Sequence, residues 1–310
     1  MRKSWVEKRN YVIMKNFKNK YVILLLCIVV TVLSSCGKMV AQKSEILSAT
    51  LAPEVQIPEN TTEILTEEPA NSTAQLDVAG LPTYTPKVTP SPTSEPDNLL
   101  LSGLLIGIDA GHQGKGNNTQ EPVSPGSSES KARVSSGTSG RFSGVAEHVV
   151  TLQVALLLEE KLTELGATVI MVRRTADVDI SNSERATMMN DAGVDLCIRI
   201  HCDGNENSSI SGTSMMVPSS KITEDINEAS KVAGEIILDA FCKATSSDNR
   251  GLIYTSTLTG FNWSTVPVCL IEMGFMTNEN DDYKLVSEEY QILCAEGIAT
   301  GIVEWYELSK

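Results

Sequence analysis

Leu104-Leu-Ile-Gly-Ile-Asp-Ala-Gly-His112 is the stretch on which the fold turns. Its apolar run into Asp109-Ala-Gly predicts a buried strand ending in a tight turn, with His112 at the strand end. The arrangement recurs. Asp195-Leu-Cys-Ile-Arg-Ile-His201 is a second apolar run that ends in a histidine, and Pro267-Val-Cys-Leu-Ile-Glu272 is a third that ends in a carboxylate. The chain has only three histidines, so two of them at strand ends stand out. In open α/β sheets, ligand-binding groups collect just outside the carboxyl ends of strands. His112, His201 and Glu272 are therefore predicted to share one site.

Outward from these strands, the pattern alternates. A helix is predicted from about 145 to 165, with Val150, Val154, Leu157, Leu158 and Leu162 on one face and Gly166 as its stop. A strand follows at 168–172. Ser181-Asn-Ser-Glu184 reads as a capping box that opens a helix toward Ala192. A strand at 212–217, an amphipathic helix at 224–244, a loop region at 245–266 and a last helix at about 287–307 complete the reading. Such alternation predicts an α/β domain with a mixed, mostly parallel central sheet and helices on both faces. One connection is anomalous: the Ser/Gly-rich insertion from Lys115 to Ser143 has no apolar period. It is expected to be an ordered lid or autoinhibitory element, or a plain loop, rimming the site.

The catalytic domain is expected to occupy 99–310 of the 310 residues. Residues 37–98 are rich in Glu, Thr, Ser and Pro, clearest from Thr83 to Pro96, and read as a disordered tether. Ahead of it, Lys15, Lys18 and Lys20 precede an apolar run from Tyr21 to Leu33. That length suits a signal-peptide core rather than a membrane span. The run closes with Leu33-Ser-Ser-Cys36, which resembles the bacterial lipobox. Residues 1–36 are thus read as a lipoprotein signal with lipid attached at Cys36, placing the protein on the outer face of the cytoplasmic membrane. Met14 is an alternative start.

The net charge of −14 belongs to the domain, because the signal region (+6) and the tether (−6) cancel. So acidic a domain argues against nucleic-acid binding, which depends on neutralising phosphates, and against electrostatic docking onto an anionic lipid or wall surface. Five cysteines fall in the domain, at 197, 202, 242, 269 and 294. The odd number and the apolar setting of most of them predict free, buried thiols and no disulfide framework.

Two histidines and a carboxylate on rigid elements make a three-ligand zinc set with one position left for water. His112 and His201 form the natural pair, and Glu147, at the start of the helix after the insertion, qualifies as the third ligand. Glu272 would then be free as general base. His148 and Cys202 are the rival ligands. The first points about 100° away from Glu147 around the helix, and the second to the opposite sheet face from His201. No His-Glu-x-x-His helix is present.

In order, Ile108-Asp-Ala-Gly-His112-Gln-Gly114, Glu147, Ile198-Arg-Ile-His201 and Val268-Cys-Leu-Ile-Glu272-Met-Gly-Phe275-Met-Thr-Asn278 resemble the zinc-dependent N-acetylmuramoyl-L-alanine amidases. The resemblance spans nearly all of 104–308, with landmarks at Arg173, Ser183-Glu-Arg185 and Asn249-Arg-Gly251. It implies one Zn2+ held by His112, Glu147 and His201, with Glu272 as the catalytic carboxylate. The implied substrate is peptidoglycan, cut between N-acetylmuramic acid and L-alanine. Arg250 and Asn278 are the candidate substrate contacts, and a regulatory protein partner is left open. The chain departs from many relatives at Gln113-Gly114, in the long insertion and at Cys202-Asp203, all on the rim. Two other readings share these residues: a zinc peptidase acting on muropeptides, and a catalytically silent wall-binding lipoprotein.

Overall fold

The computed structural model describes residues 99–310. The signal core, Cys36 and the tether lie outside the described residues. Among those described, no helix is long and apolar enough to cross a membrane.

The strands in chain order are β1 (Leu105–Ala110), β2 (Asn117–Pro122), β3 (Ser130–Val134), β4 (Thr168–Met171), β5 (Leu196–Asp203), β6 (Thr213–Pro218), β7 (Asn249–Thr255) and β8 (Val268–Phe275). The helices are α1 (Glu147–Glu164), α2 (Asn182–Ala192), α3 (Glu224–Thr245), α4 (Thr259–Asn262), α5 (Glu279–Leu285) and α6 (Glu288–Ser309). Six strands form one sheet in the order β4-β1-β5-β8-β6-β7, and β2 and β3 form a separate antiparallel pair. Strands β4, β1, β5 and β8 run parallel; β6 is antiparallel to β8 and parallel to β7. The sheet is thus mixed and mostly parallel, as expected.

Parallel strands need crossovers: α1 lies on the connection from β1 to β4, and α2 on that from β4 to β5, which flank β1. Strands buried on both faces read as continuous apolar runs, which is why β1, β5 and β8 stand out in the sequence. One face carries the larger core, where Val150, Val154, Leu158 and Leu162 of α1 meet Ile237 and Phe241 of α3 and Ile298, Ile302 and Trp305 of α6. Helices α3 and α6 pack backbone to backbone. A Cβ at Gly297 would lie 2.8 Å from the Phe241 Cα, and one at Gly301 would lie 2.6 Å from the Ile237 Cα. The opposite face is thinner, covered by Met189 of α2 and Phe261 of α4 over Cys197, Val268 and Leu270.

Local signals end the helices where the sequence places them. Ser181 and Glu184 make the capping box of α2, and Gly193 closes it in the left-handed conformation at φ 64°. Ser287 caps α6 by accepting from the Tyr290 N–H. The five domain cysteines are free, and four of them are buried.

Two expectations need correction. The insertion contains the β2–β3 hairpin, and 245–266 contains edge strand β7 and the short α4. The hairpin leaves no apolar period in the sequence because polar contacts hold it. Glu121 is buried and accepts from the N–H groups of Asn182 and Ser183, both at 3.1 Å, at the start of α2. Lys131 donates to the Thr257 carbonyl at 2.8 Å, and the Trp263 indole donates to that of Pro122 at 3.0 Å. A carboxylate on a helix amino terminus is favourable without any apolar pattern. Strand β7 is half exposed and contains Gly251, so its alternation is weak.

A buried charge cluster lies beneath the ends of β1 and β5. Asp109 and Arg199 are direct cross-strand partners in register. Asp109 pairs with Arg185 at 2.6 Å and with Arg199 at 2.8 Å, and all three side chains are buried. Burial alone would raise the Asp109 carboxyl, but the two guanidinium groups outweigh it and hold it well below its ordinary 3.8. Breaking such a pair from one side leaves uncompensated charge, so D109N should cost about 3–5 kcal/mol. A depressed carboxylate contributes stability that is complete above its unfolded value and is lost as pH falls below it. Denaturant titrations of wild type and D109N should differ by a constant amount from neutrality to about pH 4. They should converge at lower pH; a gap persisting into strong acid would contradict this.

Candidate active site

His112, Glu147, His201 and Glu272 come from four different elements and line one cleft of about 890 Å³. His112 follows β1, in the left-handed conformation at φ 59°. A non-glycine residue there is uncommon and strained, and such residues cluster at functional sites. Two buried guanidinium groups fix the turn. Arg173 donates to the carbonyls of Ala110 at 2.9 Å and Gly111 at 2.8 Å, and to that of His148 on α1 at 2.9 Å. Arg185 donates to the carbonyls of Ala110 at 3.0 Å and His112 at 2.8 Å. The backbone bearing His112 is thereby tied to the helix bearing Glu147.

Glu147 is the first residue of α1, where the helix dipole favours an anion. Its carboxylate lies between the two imidazoles. Oε2 is 3.1 Å from His112 Nε2, and Oε1 is 3.1 Å from His201 Nδ1. Backbone donors complete its surroundings: Thr138 N–H to Oε2 at 2.9 Å and Cys202 N–H to Oε1 at 3.0 Å. Burial would raise this carboxyl, but hydrogen bonds from the two histidines outweigh it and hold it well below the usual range. Burial pushes the His201 imidazole down to about 4, with Glu147 opposing.

His112 Nδ1 lies 3.1 Å from the Ser135 carbonyl, which can only accept. With its proton on Nδ1, the tautomer that donates to this carbonyl, the ring turns a lone pair on Nε2 toward the carboxylate oxygen. A cation between the two atoms would then take the place of the hydrogen bond that an Nε2 proton makes there; the Ser135 hydroxyl, 3.0 Å from Nδ1, is a second partner of that nitrogen. His201 Nε2 and Glu272 Oε2 are buried with no hydrogen-bond partner among the described residues. The candidate ligand atoms of His112, Glu147 and His201 lie within 4.8 Å of one another. A two-histidine, one-carboxylate set suits zinc, and an imidazole oriented by a backbone carbonyl through its other nitrogen is the usual support for a metal ligand. The residues fit the metal.

Glu272 faces this triad from β8, in register opposite His201. Burial pushes its carboxyl well above the usual range, with Glu147 and Asp203 adding repulsion and Arg199 opposing. Of the rival ligands, Cys202 is buried in the larger core yet also lines the cleft, and neither it nor His148 belongs to the triad. Phe261 is fully buried. Arg250 does not line the cleft; it donates to the Ser211 carbonyl at 3.2 Å and lies over the Phe275 ring. Asn278 caps α5 through its side-chain oxygen, and its amide donates to the Ser208 carbonyl at 2.9 Å. Ser135, Thr138 and Arg141 of the insertion also line the cleft, and no motif marks them among their Ser/Gly neighbours.

The profile described as N-acetylmuramoyl-L-alanine amidase matches residues 106–304. The chain belongs to this amidase family. An N-acetylmuramoyl-L-alanine amidase of Mycobacterium tuberculosis is 26% identical over 218 residues, covering 68% of this chain and 89% of that one. The uncharacterized protein YqiI of Bacillus subtilis is 28% identical over 208 residues, covering 67% and 87%. Among solved structures, the apo amidase Ami1 of Mycobacterium abscessus aligns with a TM-score of 0.61 at 26% identity, covering 66% of this chain and 99% of that one. The enzyme class is therefore that of the family, a peptidoglycan amidase.

The amidase site is sterically tight. A Cβ at Gly111 would lie 2.5 Å from the His201 ring, and one at Gly137 would lie 2.7 Å from Glu147 Oε2. G111A should therefore displace His201 and weaken metal binding by about tenfold or more. Titrating chelator-treated wild type and G111A with Zn2+ in a calorimeter checks this; equal affinities would mean that the ring has room to move.

Proposed function

We propose that the enzyme is a zinc-dependent N-acetylmuramoyl-L-alanine amidase that acts at the cell envelope, with His112, Glu147 and His201 as metal ligands and Glu272 as the catalytic carboxylate. The observation that carries this reading is the pair of partnerless buried atoms, His201 Nε2 and Glu272 Oε2, facing one cleft beside the carboxylate-linked histidines. Zinc bound there would polarise the lactyl carbonyl and make a bound water acidic near neutrality.

The chain's own residues do the rest. The Glu272 carboxylate takes a proton from the attacking water at Oε2 as the water oxygen bonds to the carbonyl carbon. When the carbon–nitrogen bond breaks, Glu272 passes that proton to the departing alanine nitrogen. The products are a lactyl carboxylic acid and a free L-alanine amino terminus, so atoms and charge balance. A buried carboxyl surrounded by other acids holds a proton more readily than an exposed one, which suits the second step. Ser135 and Arg185 hold His112 in place, and Thr138 holds Glu147. A silent wall-binding protein would have no use for Glu272 aimed into the cleft. Lipid attachment at Cys36 and the tether at 37–98 belong to the same proposal and would keep the domain near the wall.

The test is zinc content beside turnover. Wild type, E272A and H201A are assayed for bound zinc by elemental analysis and for new L-alanine amino termini from purified peptidoglycan. Wild type should hold one zinc and release termini. E272A should hold zinc but lose about 10²–10⁴-fold in rate, and H201A should lose both. Zinc-free wild type would overturn the metal assignment, and new termini elsewhere in the stem peptide would favour the peptidase reading.

A further inference from the structure

We propose that Arg141 forms an anion subsite of the cleft, receiving the free carboxylate of the second residue of the stem peptide. This rests on the amidase reading above.

Arg141 sits in a turn that is fixed on both sides. Asp282, on α5, is fully buried and accepts from the Phe142 N–H at 2.7 Å, the Ser143 N–H at 2.9 Å and the Ser143 hydroxyl at 2.6 Å. The Arg141 N–H donates to the Met276 carbonyl at 2.9 Å, and Gly140 packs so closely on Asp282 that a Cβ would lie 2.2 Å from its Oδ1. A buried carboxylate is committed to this turn, and Arg141 is its one side chain charged at neutral pH that lines the cleft.

The guanidinium is exposed and has no ion pair or side-chain hydrogen bond among the described residues. Every other described arginine is engaged. Arg133 pairs with Glu184, Arg174 with Glu159, and Arg185 and Arg199 with Asp109, while Arg173 and Arg250 donate to backbone carbonyls. In a domain with nearly twice as many acids as bases, an arginine without a carboxylate partner at a cleft is notable.

The electrostatics point the same way. Glu147, Asp203, Glu206 and Glu272 line the cleft, and Arg141 is the only lysine or arginine that does so. Outside the proposed metal triad, an acidic peptide entering it meets the acidic side chains of Asp203, Glu206 and Glu272 and one guanidinium, whose planar donors match a carboxylate in bidentate fashion. Reach also agrees. Arg141 lies three residues beyond Thr138, which touches Glu147, and three residues span at most about 10 Å. The second residue of a peptide lies about 7 Å from the amide that precedes the first.

The experiment compares two synthetic muramoyl peptides, identical except that the second residue carries a free carboxylate in one and a carboxamide in the other. Wild type should favour the free acid by about tenfold in kcat/KM, expressed mainly in KM. R141Q should bring that ratio close to one, and R141E should reverse it. Because the side chain is exposed, both variants should fold, and their thermal midpoints check that. A wild-type ratio near one, or a ratio unchanged in R141Q, would overturn the subsite while leaving the amidase reading intact. Failure of wild type to cut either peptide would overturn the amidase reading and this inference with it.

Discussion

The position of the site depends on a carboxylate that never reaches it. Asp109 lies at the end of β1, buried between Arg185 from α2 and Arg199 from β5. Removing three charges from water is costly, and a hydrophobic trio of similar volume would often be as stable. Geometry is what the charges provide. Arg199 joins the two strands whose ends carry the histidines, and Arg185 reaches past Asp109 to the carbonyls of Ala110 and His112. Arg173 approaches the same turn from the other side. A histidine at positive φ persists only when its surroundings over-determine it, and these guanidinium groups do so.

Above that cluster, the residues of the site are placed by different kinds of constraint. His201 and Glu272 are set by β-sheet register, a one-residue slip in which would turn one of them to the other face. Glu147 is set by the start of α1 and His112 by a strained turn. Elements with no apolar interior of their own supply the rest. Segment 135–141 follows the hairpin, and its backbone contacts His112, Glu147 and Met276. The insertion is thus a wall of the cleft, anchored by Glu121 at one end and Asp282 at the other.

What the sequence made legible follows from this division. The three strands and α1, α2, α3 and α6 are built on apolar periodicity and capping, and each appears within a few residues of its expected bounds. Sheet order, the hairpin and β7 depend on long-range polar contacts: Glu121 meets Asn182 across 61 residues and Asp282 meets Phe142 across 140. No local pattern encodes such pairs. The same distinction separates the site residues. Those at strand ends are marked by the strands themselves. Arg250, by contrast, was singled out by its neighbours Asn249 and Gly251, yet its guanidinium is spent on Ser211 and Phe275.

Charge explains why so few substrate contacts would have to do so much. An acidic domain facing an acidic polymer is repelled at long range, and that repulsion is screened only beyond roughly 8–10 Å at ordinary ionic strength. Within the cleft, Asp203, Glu206 and Glu272 act against an anionic peptide as well. Engagement must therefore come from short-range, directional groups and from a high local concentration, the second being what the proposed anchor and tether would supply. A catalytic domain working in this way gains by binding its polymer weakly outside the cleft and selectively inside it, because each cut then releases the chain to sample the next bond.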